Sequence, residues 1–327
     1  MRAIVVGFGH LGNFHAQKYK SLAGVELIAL VDPAGESLRT KANKIRVDIP
    51  IFESVSAYCT AVDQGKISLA NLASIACTTD HHLTASLPLI KRGVHLLVEK
   101  PLALSSAQGA ELVAAAEAAK VILATGQVER HRVVELYSDI KGHPYFIECH
   151  RLSPFPARST DIDVIFDLMI HDIDLMLAMV DSPIKHIHAA GFPVLTSQID
   201  IANCRFEFEN GCIANLTASR ISLGRTRKFR IFCSDSYLSL DLGAGTYERY
   251  IKNAQEKDIS KAIAHSSGSL KVEDALLEEI RDFVDAIKEK RNPLVSGKDG
   301  LRAIQVAEEV VHDIQDRLTR LPVGRKL

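Results

Sequence analysis

Tryptophan is absent from this chain of 327 residues. Binding of a ligand must therefore be followed by the ligand's own optical signal and not by the protein's. Also absent is an apolar run of about eighteen residues, the length that begins to span a bilayer. The chain opens on a short strand pattern and a glycine turn with no signal-peptide core, so the cytoplasm is the expected location. Its ending, Arg325-Lys326-Leu327, only faintly resembles a peroxisomal address, because Arg325 stands where a small residue is usual. No sign of charge dominates. Lysine and arginine number 39 against 40 acidic residues, a net of −1. That leaves no basic field, and nucleic acid is not an expected partner. The local cluster Arg225 to Arg230 reads as a solvated strand edge. The six cysteines (Cys59, Cys77, Cys149, Cys204, Cys212 and Cys233) are scattered and form no C-x-x-C pair, which favours free thiols in a reducing compartment. If Asn210-Gly211 makes a two-residue hairpin turn, Cys204 faces Thr217, not Cys212. No internal repeat or low-complexity segment is present.

The composition, 47% hydrophobic and 24% charged, is that of an ordinary globular protein. The length predicts two domains, drawn at 1–125 and 126–327.

Ala3 to Asp32 carries the most information. A strand, Ala3-Ile4-Val5-Val6, runs into Gly7-Phe8-Gly9-His10-Leu11-Gly12, then a helix to about Ser21. A second apolar strand, Val25 to Val31, is closed by Asp32. Gly7 permits the tight turn, Gly9 lets a pyrophosphate approach the backbone, and Gly12 lets the helix pack on the sheet. The helix N-terminus offers its N–H groups to phosphate. Asp32 is placed to accept the hydroxyls of an adenosine ribose, and its charge would repel a 2′-phosphate. Arg39 and Lys41 lie too far along the next helix to be counted on as phosphate cations. NAD is expected in preference to NADP.

Helix and strand patterns then alternate. Strands are expected at Ile49–Phe52, Leu72–Ala76, Val94–Val98 and Val121–Thr125. Helices are expected at Glu36–Lys44, Ser54–Asp63, from Asp80 as N-cap to Lys91, and at Ser105–Lys120. Apolar strands separated by helices form a parallel sheet covered on both faces, whose ligands bind beyond the strands' carboxyl ends. That rule sets Gly7 to Gly12, Asp32, Thr78-Thr79-Asp80 and Glu99-Lys100-Pro101 along one rim. An amine at Lys100 could hold a substrate hydroxyl, Pro101 would stiffen the turn, and Glu99 could direct the lysine.

After Thr125 a helix is expected at Arg130–Lys141 and a strand at Tyr145–Leu152. A buried helix follows over Asp163–Val180, and then come mostly alternating strands. These are Ile184–Gly191, Ile199–Glu209, Cys212–Ile221, Lys228–Cys233 and Tyr237–Leu242, with a hairpin at Asn210-Gly211. Residues 252–270 read as a mobile loop, and helices at Glu273–Lys290 and Gly300–Leu318 close the chain. The fold class is α/β: an amino-terminal Rossmann dinucleotide-binding domain, then an α+β domain with a large, mostly antiparallel open sheet. Such an open face predicts a homodimer or homotetramer.

On the helix from Asp163, i,i+4 spacing stacks Asp163, Asp167 and His171 on one face. Charges on a buried helix are costly unless paired or functional. Acids favouring a helix N-terminus account for Asp161 and Asp163 but not for Asp167 or His171. A metal pair with help from His81-His82 is an alternative, although hydride transfer needs no metal and none is expected.

With Gly7-x-Gly9-x-x-Gly12 and Asp32, Glu99-Lys100-Pro101, Asp167-x-x-x-His171 and the turn Pro293 to Gly297, the chain resembles the Gfo/Idh/MocA dehydrogenases over its whole length. The resemblance implies an NAD-dependent enzyme in which Lys100, Asp167 and His171 surround the reacting carbinol. His171 or Lys100 would be the base. Glu148 to Phe155 and Asp167 to Asp174 look most like a subgroup that includes UDP-N-acetylglucosamine 3-dehydrogenases, whose keto product passes to a partner aminotransferase. Arg130, Arg151 and Arg158 are candidate donors to a diphosphate. Inositol or free-sugar oxidation, and a non-catalytic NAD-binding sensor, are the competing readings. Thr78-Thr79-Asp80, Arg158 to Asp161 and Arg130 to Val133 depart from common family patterns, so substrate does not follow from the sugar or inositol members.

Overall fold

The computed structural model describes residues 1–138, 140, 142–155, 162–253, 255–256, 258, 262–270 and 274–320. The chain divides into two compact units. The first is Met1–His131 with Asp274–Ile304, and the second is Arg132–Glu273 with Gln305–Leu327.

The first unit is built on a six-stranded sheet. Its strands are β1 (Arg2–Val6), β2 (Glu26–Val31), β3 (Ile51–Phe52), β4 (Leu72–Ile75), β5 (His95–Glu99) and β6 (Leu123–Gly126). Every pairing is parallel and the order is β3-β2-β1-β4-β5-β6. Strand order reverses between β1 and β4, which opens a crevice at their carboxyl ends. β4 is buried at all four positions, and β1 and β5 are buried apart from their first residue, as strands covered on both faces must be. The covering helices are α1 (His10–Ser21), α2 (Arg39–Lys44), α3 (Val55–Asp63), α4 (His82–Ile90) and α5 (Ser106–Ala119). Ser54 and Ser105 cap α3 and α5, accepting the N–H of Ala57 and Gln108.

Two further helices, α6 (Val128–Ser138) and α9 (Gly297–Thr319), contain residues assigned to both units. Helix α8 (Ala275–Glu289) belongs to the first unit, with Ile280, Phe283 and Val284 in one apolar cluster with Val5, Phe8, Tyr19 and Leu97. The Pro293 to Gly297 turn is tied to β6, where Thr125 N–H donates to Val295 O at 3.1 Å. Ser296 and Asp299 then form a reciprocal cap at the start of α9, with Ser296 N–H to Asp299 Oδ2 at 2.8 Å and Asp299 N–H to Ser296 Oγ at 3.3 Å.

Among the described residues the second unit carries an eight-stranded sheet. Its members are β7 (Pro144–Leu152), β8 (Ile184–Phe192), β9 (Ile201–Phe208), β10 (Ile213–Ser219), β11 (Thr226–Cys233), β12 (Ser236–Asp241), β13 (Thr246–Lys252) and β14 (Ile263–Ser269). The order is β14-β13-β12-β11-β7-β10-β9-β8, and only β7 and β10 pair in parallel. Burial alternates along β7, β9, β10 and β12, so one face is core and the other is not. Across the second face runs a ladder of rings on five neighbouring strands: Phe146, Phe232, Tyr237, Tyr250 and His265. Helix α7 (Ile170–Met179) lies against β7 and β10 on the core face. Among the described residues no helix is long and apolar enough to cross a membrane.

Three expectations are corrected. Residues 263–269 are not loop: they form β14, paired antiparallel along β13. Its polar residues carry little strand signal, and its stability comes from backbone pairing at the sheet edge. The 210–211 hairpin has three loop residues, not two. Phe208 N–H donates to Cys212 O, Asn210 Oδ1 accepts from Cys212 N–H, and Gly211 takes φ +85°. Cys204 therefore faces Leu216, one residue from the expected register, and all six cysteines are free thiols. Finally, the buried helix begins with a π-helical turn, Ile165–Met169, where Ile170 N–H bonds back to Ile165 O.

Candidate functional site

At the end of β1 the three glycines are used for three different reasons. Gly7 has φ +85°, and a Cβ there would lie 2.4 Å from Cys77 N. A Cβ on Gly12 would lie 1.7 Å from Gly7 O, so helix and turn touch backbone to backbone. Gly9 would meet nothing within 4 Å, which is the open side a pyrophosphate needs. No side chain caps the N-terminus of α1 at Gly9, and its first turn holds no acid, so that end stays electropositive. The Phe8 ring is buried in the core and its N–H donates to Asp32 Oδ2 at 2.7 Å. Asp32 Oδ1 accepts Ala34 N–H at 3.0 Å, so two backbone donors hold the half-buried carboxylate in place. His10 and Leu11 are exposed, with His10 edge-on to Phe14 at 4.9 Å. These residues fit a dinucleotide: an open glycine, an uncapped helix end and an oriented acid.

Lys41 is not remote, as its sequence position suggests. Its ammonium donates to the carbonyls of Phe8 and Gly9, the latter at 2.8 Å, and sits 4.8 Å from the Phe8 ring centre.

After β4, Thr79–His81 forms a 3₁₀ turn with Thr78 at its N-cap, and α4 starts only at His82. Asp80 is therefore not the helix cap. Hydrogen bonds from Thr78 and His81 hold its carboxyl below the usual carboxylate range. His82 is buried, with Nδ1 3.1 Å from Pro101 O and Nε2 3.2 Å from Cys77 O. Burial pushes its pKa below the ordinary histidine value, against the pull of those carbonyls. The ring joins the turn after β4 to the turn after β5, and both its nitrogens face protein carbonyls, a poor arrangement for a metal ligand. Lys100-Pro101 is a cis peptide, and Lys100 is half-buried.

Beneath Glu99 lies a chain of buried polar groups. Tyr19 OH is 2.7 Å from Ser74 Oγ, Ser74 Oγ is 2.9 Å from His15 Nδ1, and His15 Nε2 is 2.7 Å from Glu99 Oε1. Each group can donate to the next, from the Tyr19 hydroxyl through Ser74 and the His15 ring to the Glu99 carboxylate. Gly126 makes room, since a Cβ there would lie 3.0 Å from Glu99 Oε2. Glu99 is thus fixed from below by α1 and β4.

In the second unit Asp167 lies within the π turn and His171 at the start of α7, both half-buried. Asp167 N–H bonds to Asp163 O at 3.0 Å, while the next bonds lengthen to the fifth residue back. The uniform i,i+4 stripe expected through His171 is therefore interrupted. Asp172 and Asp174 are buried. Arg151 forks onto Asp172, Nε to Oδ2 at 2.8 Å and Nη2 to Oδ1 at 2.7 Å, with both side chains buried. In the first unit Arg130 is also buried, reaching Asp299 at 3.3 Å and Leu294 O at 3.4 Å. Arg158 lies outside the described residues.

One cluster escaped the sequence reading. Asp200 is fully buried and accepts the N–H groups of Val194, Leu195 and Thr196 and the Nε of Arg220 at 2.8 Å. Arg220 also donates to Ile162 O, and Asp163 Oδ1 accepts Ile199 N–H, so the pair anchors the entry to the π turn. A signal existed. Cys212, Ala214, Leu216 and Ala218 set the inward phase of β10, and Arg220 continues it. A charge there demands a buried counter-charge. His15 and Tyr19 likewise share the inward face of α1 with Ala16.

The family described as oxidoreductase, NAD-binding Rossmann fold (Gfo/Idh/MocA) matches residues 1–127, and the Gfo/Idh/MocA C-terminal domain matches 117–239. The chain is 34% identical over 312 residues to UDP-N-acetylglucosamine 3-dehydrogenase of Acidithiobacillus ferrooxidans, covering 95% of this chain and 96% of that one. It is 22% identical over 334 residues to myo-inositol 2-dehydrogenase of Thermotoga maritima, covering 97% of each. The solved structure of the A. ferrooxidans enzyme, GnnA, superposes with a TM-score of 0.86 at 33% identity, covering 97% of this chain and 99% of that one. An oxidoreductase domain protein from Kribbella flavida reaches 0.84 at 19% identity over 96% and 97%, a likeness of fold.

Proposed function

Because the chain belongs to the Gfo/Idh/MocA oxidoreductase family, we propose that it oxidises a secondary alcohol of a nucleotide sugar, UDP-N-acetylglucosamine at C3. The observation that carries this reading is the 34% identity to a dehydrogenase of that substrate along 95% of the chain, against 22% for an inositol dehydrogenase. Residues 1–125 hold the cofactor, and 126–327 supply substrate contacts and self-association. Gly7 to Gly12, Asp32, Thr78 to Asp80 and Glu99 to Pro101 are the cofactor residues. Bound NAD supplies the hydride acceptor.

Lys100 donates a charged hydrogen bond to the reacting hydroxyl and stabilises its oxygen as the proton leaves. His171 takes that proton, a task suited to a group whose ordinary pKa lies near neutrality. Asp167 orients the imidazole or binds the sugar. Lys100→Ala and His171→Ala should each lower the rate by roughly 10²–10⁴-fold while NADH still binds. Full activity in both variants would remove these assignments.

A second reading, oxidation of an inositol or free sugar, has its own support. Two of the three arginines expected for a diphosphate already hold aspartates, Arg151 on Asp172 and Arg130 on Asp299. Absorbance at the NADH band with UDP-sugars, inositols and hexoses decides between them. A glutamate-dependent aminotransferase, the proposed pathway partner, is added to draw off the ketone. Turnover of myo-inositol but not of UDP-N-acetylglucosamine would replace the first reading with the second. Self-association as a dimer or tetramer is proposed through the ring-bearing face of the second sheet. A single monomeric species in sedimentation velocity would exclude it.

A further inference from the structure

The glycine turn has to be both permissive and held. Glycine at positions 7 and 9 leaves the peptide groups between them free to rotate, yet a pyrophosphate is bound well only by N–H groups already facing it. In a trans peptide the carbonyl of one residue and the N–H of the next point in opposite directions. The carbonyls of Phe8 and Gly9 therefore set the bearings of Gly9 N–H and His10 N–H. Both carbonyls meet one ammonium, that of Lys41, which is itself seated on the face of the Phe8 ring. Gly9 O also accepts Asn13 N–H at 3.3 Å, the first bond of α1, whereas Phe8 O accepts from Lys41. The two N–H groups that precede them are committed, Gly7 to Val31 O at 2.7 Å and Phe8 to Asp32.

We propose that Lys41 is a cofactor-positioning residue: by holding the carbonyls of Phe8 and Gly9 it presents the N–H groups of Gly9 and His10 to the pyrophosphate of NAD. Its charge lies behind those peptides and adds to the positive end of α1. Helix α2 thus takes part in cofactor binding through the turn, without serving as a 2′-phosphate cation. The inference rests on the family's NAD site and is independent of the substrate.

The test is titration of NADH by its own emission, with ADP-ribose and adenosine as competitors, on the native chain and on Lys41→Ala and Lys41→Arg. Lys41 is half-exposed, so Lys41→Ala should keep the native circular dichroism. Its affinity for NADH and ADP-ribose should fall about tenfold, while adenosine, which lacks the pyrophosphate, competes as before. Lys41→Arg should recover part of the loss. Unchanged or tighter NADH binding in Lys41→Ala overturns the proposal, as does an equal loss for adenosine. Failure of the native chain to bind NADH would instead count against the NAD site itself.

Discussion

The buried groups of the first unit that can carry charge include His15, His82 and His131, set against a serine, a carboxylate and backbone carbonyls. Those of the second include Arg151 and Arg220, each pressed onto an aspartate. The chemistry differs in kind. A histidine can give up its proton and be buried neutral, whereas an arginine keeps its charge at any ordinary pH and is tolerable inside only with its partner. The first unit, although it also buries Arg130 against Asp299, therefore carries part of its polar interior at a cost that depends on pH. The second carries it at a cost that depends on pairs being complete.

Breaking a pair should have the largest effect. Arg220→Met leaves Asp200 buried without its counter-charge, and the expected loss of stability is about 3–5 kcal/mol. Urea unfolding reads it directly. A loss under about 1 kcal/mol, the size of an exposed ion pair, would show that the three N–H groups on Asp200 suffice alone.

Acidification should then separate the two units. Burial pushes His131 down to about 4, and His82 shifts the same way. When the folded pKa lies below the unfolded value near 6.5, the unfolded chain binds more protons between the two. Stability is thus complete above about pH 6.5 and falls as pH drops toward 4, by about 3 kcal/mol for His131 alone. Asp200 behaves otherwise. Burial opposes its charge, but the N–H of Thr196 and the guanidinium of Arg220 hold its pKa below the carboxylate range. Its contribution is kept until pH falls below about 4. Hydrogen exchange at stepped pH should show the first unit loosening first, and His131→Leu should flatten the curve between pH 6.5 and 4. Simultaneous loss in both units would break the contrast.

The smallest effect on stability is expected at the turn. Gly9→Ala adds a methyl to empty space, so unfolding should shift by no more than about 0.5 kcal/mol. NADH affinity should nevertheless fall, because the methyl occupies the approach of the pyrophosphate. Undiminished binding would mean that the ligand does not pass over Gly9.

The glycine turn, Asp32 and the parallel alternation are legible in the sequence because each answers a local requirement: a positive φ, a backbone contact, a continuous apolar strand. What depends on distant partners is not legible. Lys41 reaches Phe8 and Gly9 only because α2 folds back over the turn. Asn-Gly admits a loop of two or three residues, and the bond from Cys212 N–H to the Asn210 side chain selects three. Ile263–Ser269 lacks the apolar alternation of a strand and is ordered by pairing with Thr246–Lys252. In Arg151 the residue type suggests an anion, but nothing in the sequence says that the anion is Asp172.

A wide turn such as Ile165–Met169 is what one additional residue produces when it is inserted into an α-helix. Removing one residue would restore ordinary winding and carry whatever precedes it about 100° around the axis relative to His171. The bearing of Asp167 is thus written in chain length as well as in residue identity. An insertion or deletion, and not a substitution, is the kind of inherited change that would redirect it while leaving the buried flank of α7 intact.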